Sequence, residues 1–326
     1  MAVLVTGGAG YIGSHMVFAL VDRGEKVVAL DNLSTGIRGL VAEGAEFVEG
    51  NAGDQALVRR LIADCDIDAV IHFAGSIVVP ESVEQPLAYY ANNTVVARNL
   101  IEAAIESRVR NFIFSSTATV YAGESDGPLS EDLPTGPISP YGRSKLMTEW
   151  MLEDASRAYD FRHVALRYFN VAGADPKGRT GQSSPRATHL IKRACQVALG
   201  RVPHLDVFGT DYPTADGTGV RDYIHVSDLV AAHALSLDYL RNGGGATVMN
   251  CGYGHGSSVR QVIGAVERVT GGKLPAVESA RRPGDPPWLI ADSRRLRATL
   301  GWEPAYDDLD EIVRSALAWE SKFNSS

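Results

Sequence analysis

Short apolar runs alternate with longer amphipathic stretches through the first half of the chain. Ala2–Thr6, Lys26–Asp31, Glu46–Glu49, Ala69–His72, Asn111–Ser115 and His163–Arg167 are continuous apolar runs, the pattern of strands buried on both faces. Between them, Tyr11–Asp22, Gln55–Asp64, Pro86–Ser107 and Tyr141–Tyr159 place apolar residues at helical spacing. Strands regularly separated by helices predict right-handed crossovers, and therefore an α/β fold built on a doubly wound parallel sheet of the Rossmann type.

The rhythm changes after about Asn170. Gly173–Pro185, Gly209–Gly219 and Arg281–Pro287 are rich in Gly, Pro and Asp, and helices are expected near Thr188–Leu199 and Val226–Leu240. This predicts a dinucleotide-binding domain over residues 1–170 and a smaller substrate-binding lobe over 171–326. The strand-like run Ala246–Cys251 and the helical segments Val259–Val269 and Leu309–Phe323 can return to either lobe, so interleaving is expected.

Composition narrows the function classes. The chain has 326 residues, 45% hydrophobic and 21% charged, inside the globular range. Thirty-one Lys and Arg against 39 Asp and Glu give a net charge of −8, which disfavours broad contact with nucleic acid or anionic membrane. No stretch approaches the ~20 apolar residues of a membrane span, and no basic, cleavable leader follows Met1, so a soluble cytoplasmic protein is expected. Cys65, Cys195 and Cys251 lack disulfide or metal spacing and are expected to be reduced core residues, with no metal site.

Two motifs carry chemistry. Gly7, Gly10 and Gly13 form Gly-x-x-Gly-x-x-Gly between the first strand and the first helix. There the early glycines permit a tight turn and close approach of a pyrophosphate, and the helix N-terminus supplies amide donors. Asp31 ends the second strand 18 positions after Gly13, where a carboxylate accepts from an adenosine ribose and repels a 2′-phosphate, favouring NAD over NADP. The alternative is that Asp31 only caps the Asn32-Leu33-Ser34 turn.

The second motif is Tyr141-Gly-Arg-Ser-Lys145, whose Tyr and Lys share one helix face at i and i+4. A free phenol is a poor base at neutral pH, but a neighbouring ammonium and a cationic nicotinamide both favour its phenolate. The strand ending Phe114-Ser-Ser-Thr117 places a hydroxyl at the sheet edge where open α/β sheets bind ligands.

These motifs resemble the extended short-chain dehydrogenase/reductase superfamily. Longer strings narrow the likeness: Val5-Thr-Gly-Gly-Ala-Gly-Tyr-Ile-Gly-Ser-His15, His72-Phe-Ala-Gly75, Ser139-Pro-Tyr-Gly-Arg-Ser-Lys-Leu-Met147, Leu166-Arg-Tyr-Phe-Asn170 and Gly217-Thr-Gly-Val-Arg-Asp-Tyr-Ile-His-Val226. Together they are similar to the UDP-glucose (UDP-galactose) 4-epimerases, over nearly the whole chain. The resemblance implies reversible oxidation at C4 of a UDP-hexose by tightly held NAD, with Tyr141 taking the hydroxyl proton, Thr117 bonding the same oxygen and Lys145 tuning the phenol. By family position, Gly7, Gly10, Tyr11, Ile12, Gly13, Asp31, Asn32, Asn51, Ala52, Phe73, Ala74, Gly75, Asn92, Ser115, Tyr141, Lys145 and Tyr168 would contact the cofactor. The UDP-sugar side would be Thr117, Tyr141, Phe169, Asn170, His189, Leu190, Phe208, Arg221, Arg282, Asp285 and Leu289. Of these, Arg221 and Arg282 would hold the diphosphate, Phe208 would contact the uracil and Asp285 its ribose. A homodimer packed through helices at about Pro86–Ser107 and Tyr141–Tyr159 is also implied.

The sequence departs from the family pattern at four positions. Asn51 replaces an Asp facing the adenine, Ile77 a Lys near the cofactor, and His189 an Asn against the diphosphate. Leu289 is intermediate in bulk at the sugar-pocket wall, which ranks UDP-glucose and UDP-galactose first and leaves UDP-N-acetylhexosamines or UDP-uronates as alternatives. A nucleotide-sugar 4,6-dehydratase would need carboxyl groups where Thr117-Ala-Thr119 stands, and a non-catalytic NAD-binding protein would not need Thr117, Tyr141 and Lys145.

Overall fold

The computed structural model describes residues 1–122, 127–184, 188–282 and 285–323; Pro185 and Pro283-Gly284, which fall in two of the expected loops, and the last three residues lie outside it. The first half runs β1 (Ala2–Thr6), α1 (Tyr11–Asp22), β2 (Lys26–Asp31), β3 (Glu46–Glu49), α2 (Gln55–Cys65), β4 (Ile67–His72), α3 (Val79–Glu84), α4 (Pro86–Tyr89), α5 (Val96–Glu106), β5 (Asn111–Ser115), α6 (Pro140–Ala158) and β6 (Arg162–Tyr168). There follow β7 (Asn170–Ala172), α7 (Leu190–Ala198), β8 (Leu205–Phe208), β9 (Val220–Arg221), β10 (Tyr223–His225), α8 (Val226–Arg241) and β11 (Thr247–Cys251). The chain closes with β12 (Ser257–Ser258), α9 (Val259–Thr270), β13 (Ala276–Ser279), β14 (Trp288–Leu289), α10 (Arg294–Leu300) and α11 (Leu309–Phe323).

Seven strands make one parallel sheet in the order β11-β6-β5-β4-β1-β2-β3. Alternate residues of each strand feed opposite faces. Val3, Val5, Ile71, Ile113 and Leu166 pack with Met16 and Leu20 of α1 and Leu229 and Leu237 of α8, whereas Leu4, Leu30, Val70, Phe112 and Phe114 pack with α2, α5 and Leu152 of α6. Each large apolar side chain removed from water in this way stabilises by about 1.5–3 kcal/mol, which is why both faces of every central strand read as apolar. The order in which strands are added reverses between β1 and β4, and that switch point is where an open α/β sheet presents a crevice.

α8 and β11 return to the sheet, β11 pairing with β6. The core on that face continues without a break into Ile191, Cys195, Leu205, Val262, Ile312 and Val313 of the second lobe. That lobe adds three small sheets, β10-β7, β12-β9-β14 and β13-β8.

One expected helix is not continuous. The periodicity over Pro86–Ser107 resolves into α4, a π-helical turn at Tyr90–Val95, and α5. The wider turn brings Asn93 inward, where it bonds the Ser76 backbone and the Ser144 hydroxyl. Apolar spacing alone does not report such a change of pitch.

Candidate functional site

β1 delivers the chain directly into the glycine turn. Gly7 adopts φ +71°, and its amide donates to the Leu30 carbonyl at 2.8 Å, tying the turn to β2. A Cβ on Gly7 would stand 2.7 Å from the Ala74 amide nitrogen, and one on Gly13 only 1.9 Å from the Gly7 carbonyl oxygen, so no side chain fits at either place. Gly10 caps α1 with no side-chain hydrogen bond, which leaves the leading amides of the helix directed at the switch point. Behind the turn, the Tyr11 hydroxyl donates to the Gly173 carbonyl at 2.7 Å, and Ile12 packs on the core. Phe73 donates its amide to the Thr6 carbonyl at 3.0 Å, holding Phe73, Ala74 and Gly75 beside the turn. A cradle walled by backbone and tipped with unclaimed amides fits the pyrophosphate of NAD.

Asp31 caps the turn that follows it and also braces the glycine loop. One oxygen accepts from the Ala9 amide at 3.0 Å and the other from the Leu33 amide at 2.8 Å, so it supports the glycine loop and caps the following turn. That second bond holds Leu33 in the left-handed conformation, φ +57°, which a branched side chain otherwise avoids. Four lone-pair sites with two in use leave acceptor capacity for a ribose. Asn32 caps the same turn through its side-chain oxygen, which accepts from the Ser34 amide at 3.1 Å. The Gly50 amide donates to the Asp31 carbonyl at 3.0 Å, bringing Asn51 and buried Ala52 alongside; the Asn51 carboxamide oxygen accepts from the Gly53 amide. Asn92 is exposed and donates to the Ser76 hydroxyl at 2.8 Å, while Asn93, which sequence reasoning passed over, is buried. Two adjacent asparagines gave no signal as to which turns inward. Ile77 is exposed.

The catalytic candidates come together where α6 starts. Ser139 accepts the Gly142 amide and Pro140 occupies the first turn, a strong helix start immediately ahead of Tyr141. Tyr141 and Lys145 are both buried on the face turned to the end of β5. The Thr117 hydroxyl stands beside the Tyr141 phenol. Lys145 Nζ donates to the Ser115 carbonyl at 3.0 Å and stands 5.0 Å above the Phe114 ring. The Ser115 and Tyr168 hydroxyls are 2.5 Å apart.

Burial raises the Tyr141 phenol well above its ordinary value, and the neighbouring Thr117 hydroxyl only partly offsets this. Burial lowers Lys145 to about 8. The ammonium donates to the Ser115 carbonyl, and a cationic nicotinamide ring would add a charge that favours the phenolate.

The sugar-nucleotide candidates lie on the second lobe facing this edge. Leu289 pairs in register with Arg221 and packs on the cluster containing Leu146 and Phe169, which connects the expected pocket wall to α6. Asn170 pairs in register with Tyr223. Arg221 lies 3.4 Å from Asp285, and the Arg282 guanidinium sits 3.9 Å over the Phe208 ring. The two guanidiniums expected to hold a diphosphate thus rest on the two side chains expected to hold the uridine. His189 is exposed at the start of α7 without a capping bond, and Leu190 packs on the core. Among the described residues, no group of three or more His, Cys, Asp or Glu is arranged to hold a metal ion.

Residues 3–252 match the NAD dependent epimerase/dehydratase family. The chain is 57% identical to a UDP-glucose 4-epimerase of Azospirillum brasilense, over 99% of this chain and 93% of that one. It is similar to the crystal structure of UDP-glucose 4-epimerase from Brucella ovis in complex with NAD, with TM-score 0.95 and 46% identity over 97% of each chain. It is also similar to the UDP-Glc/GlcNAc 4-epimerase of Campylobacter jejuni, with TM-score 0.87 and 45% identity over 98% of this chain and 99% of that one. With its glycine cradle, its buried Tyr and Lys on one helix and these relatives along its full length, the chain belongs to the NAD dependent epimerase/dehydratase family and, within it, to the UDP-glucose 4-epimerases.

Proposed function

We propose that the chain interconverts UDP-glucose and UDP-galactose by oxidising C4 of the hexose and reducing the resulting 4-keto sugar on its other face. The observation that carries this reading is the meeting of Thr117, Tyr141 and Lys145 at the C-terminal edge of β5, beside the glycine cradle. Bound NAD supplies the hydride acceptor and, once reduced, the donor. Tyr141 takes the proton of the 4-hydroxyl and returns it to the opposite-face alkoxide, while Thr117 holds the same oxygen in line. Lys145, charged at neutral pH and anchored on Ser115, holds the cofactor ribose at the helix face. Arg221 and Arg282 hold the diphosphate, so the hexose turns over between oxidation and reduction while its nucleotide stays fixed.

Residues 1–170, completed by α8 and β11, form the cofactor lobe in this reading, and the remainder grips the UDP moiety. A homodimer is supported by apolar side chains that α3 to α6 leave exposed on one flank: Val83, Leu87, Val95 and Trp150. Among the described residues, no helix is long and apolar enough to cross a membrane.

The test is purified protein with UDP-galactose and no added NAD, followed by chromatography. UDP-glucose should appear, and Tyr141→Phe should lower kcat by about 10²-fold or more while retaining NAD. Full turnover by Tyr141→Phe would reject the proton role.

A further inference from the structure

Tyr141, Lys145 and Glu149 stand at i, i+4 and i+8 on α6, and each reaches one of three consecutive residues at the end of β5. The phenol stands beside the Thr117 hydroxyl, the ammonium donates to the Ser115 carbonyl, and the Glu149 carboxylate accepts from the Ser116 hydroxyl between them. The first two rungs hold groups the proposed reaction uses; the third does not touch a reacting atom.

That third rung is expensive to build. Ser116 is fully buried, and Glu149 is 4% exposed. The carboxylate is neutralised by Arg167, whose Nη2 approaches Oε2 at 2.6 Å and whose Nε approaches Oε1 at 3.0 Å. The Arg167 guanidinium lies 4.9 Å from the centre of the Tyr121 ring, and the Tyr121 hydroxyl donates to Asn250 Oδ1 at 2.7 Å. A polar chain therefore crosses from β11 through β6 to α6 and ends on one hydroxyl. Buried ion pairs of this kind rarely stabilise more than apolar packing of equal volume, so stability alone does not account for it. The Ser116 amide also donates to the Leu166 carbonyl at 2.9 Å, just before the chain leaves the sheet at Thr117.

We infer that Ser116 and Glu149, backed by Arg167, are positioning residues that fix the Ser115–Thr117 segment against α6, so that Thr117 faces the Tyr141 oxygen and the Ser115 carbonyl faces Lys145. This rests on the epimerase reading. Ser116→Ala removes the rung and leaves the Glu149–Arg167 pair intact. In assays with UDP-galactose it should lower kcat about tenfold with KM unchanged, with the same NAD content per chain after denaturation and mass spectrometry, and a melting temperature within about 2 °C of the unmutated protein. Glu149→Gln keeps an acceptor for Ser116 but leaves Arg167 unpaired. It should melt earlier while kcat per NAD-loaded chain stays within about twofold. An unchanged kcat in Ser116→Ala, a rise in KM instead, or early melting of that variant would overturn the inference. An unmutated protein inactive on UDP-galactose would instead reject the epimerase reading itself.

Discussion

Lys145 shows how one buried side chain couples chemistry to stability. Its ammonium is taken out of water and given a single carbonyl, so its folded-state value falls to about 8 from 10.5. Below pH 8 the group is charged in both states and its burial costs stability; between 8 and 10.5 the unfolded chain binds more protons, so stability rises with pH. The shift corresponds to about 3 kcal/mol. The difference in unfolding free energy between the unmutated protein and Lys145→Met should therefore shift in favour of the unmutated protein as pH goes from 8 to 10, measured by denaturant titration; a difference that does not change with pH would contradict the burial of a charged amine. Tyr141, Lys145 and Thr117 were legible in the sequence because their spacing on a helix and a strand end is local. The direction of the phenol shift was not, because the burial that raises it comes from tertiary packing that local spacing does not report.

Glycine is legible at the scale of the element, because geometry leaves no other choice. The turn between β1 and α1 needs backbone at the places where Cβ atoms would otherwise stand, and Gly13 lies against the Gly7 carbonyl. Gly13→Ala should abolish NAD retention and lower the melting temperature, since the clash is with rigid backbone rather than with a mobile side chain. Retention of NAD by a well-folded Gly13→Ala chain, seen by mass spectrometry of denatured protein, would contradict the close approach. The seven strands of the central sheet and α1, α2, α6 and α11 followed from periodicity to within a residue or two, whereas the short strands of the second lobe did not. The π-helical turn at Tyr90–Val95 did not, because its cause is tertiary: Asn93 spans from Ser76 to Ser144 across two other elements.

At the scale of the whole molecule, one apolar core runs from the sheet into α7, β8, α9 and α11. The rhythm of the sequence changes near residue 170, but α8 then packs on the sheet and β11 joins its edge. The α3 to α6 flank retains its exposed apolar residues, with Leu87 79% and Trp150 53% accessible. Trp150→Asp should convert the proposed dimer to a monomer in sedimentation velocity, because a charge cannot be buried there without a partner. An unchanged sedimentation coefficient would place any subunit contact elsewhere.

The central claim is that hydrogen leaves and returns to one carbon inside a closed site, with the nucleotide anchored by the second lobe. Conversion of UDP-galactose deuterated at C4, with no cofactor added, measures this directly. The account predicts UDP-glucose that retains the deuterium at C4 through many turnovers. Loss of the label to solvent hydrogen, or no conversion by protein shown to contain NAD, would contradict it.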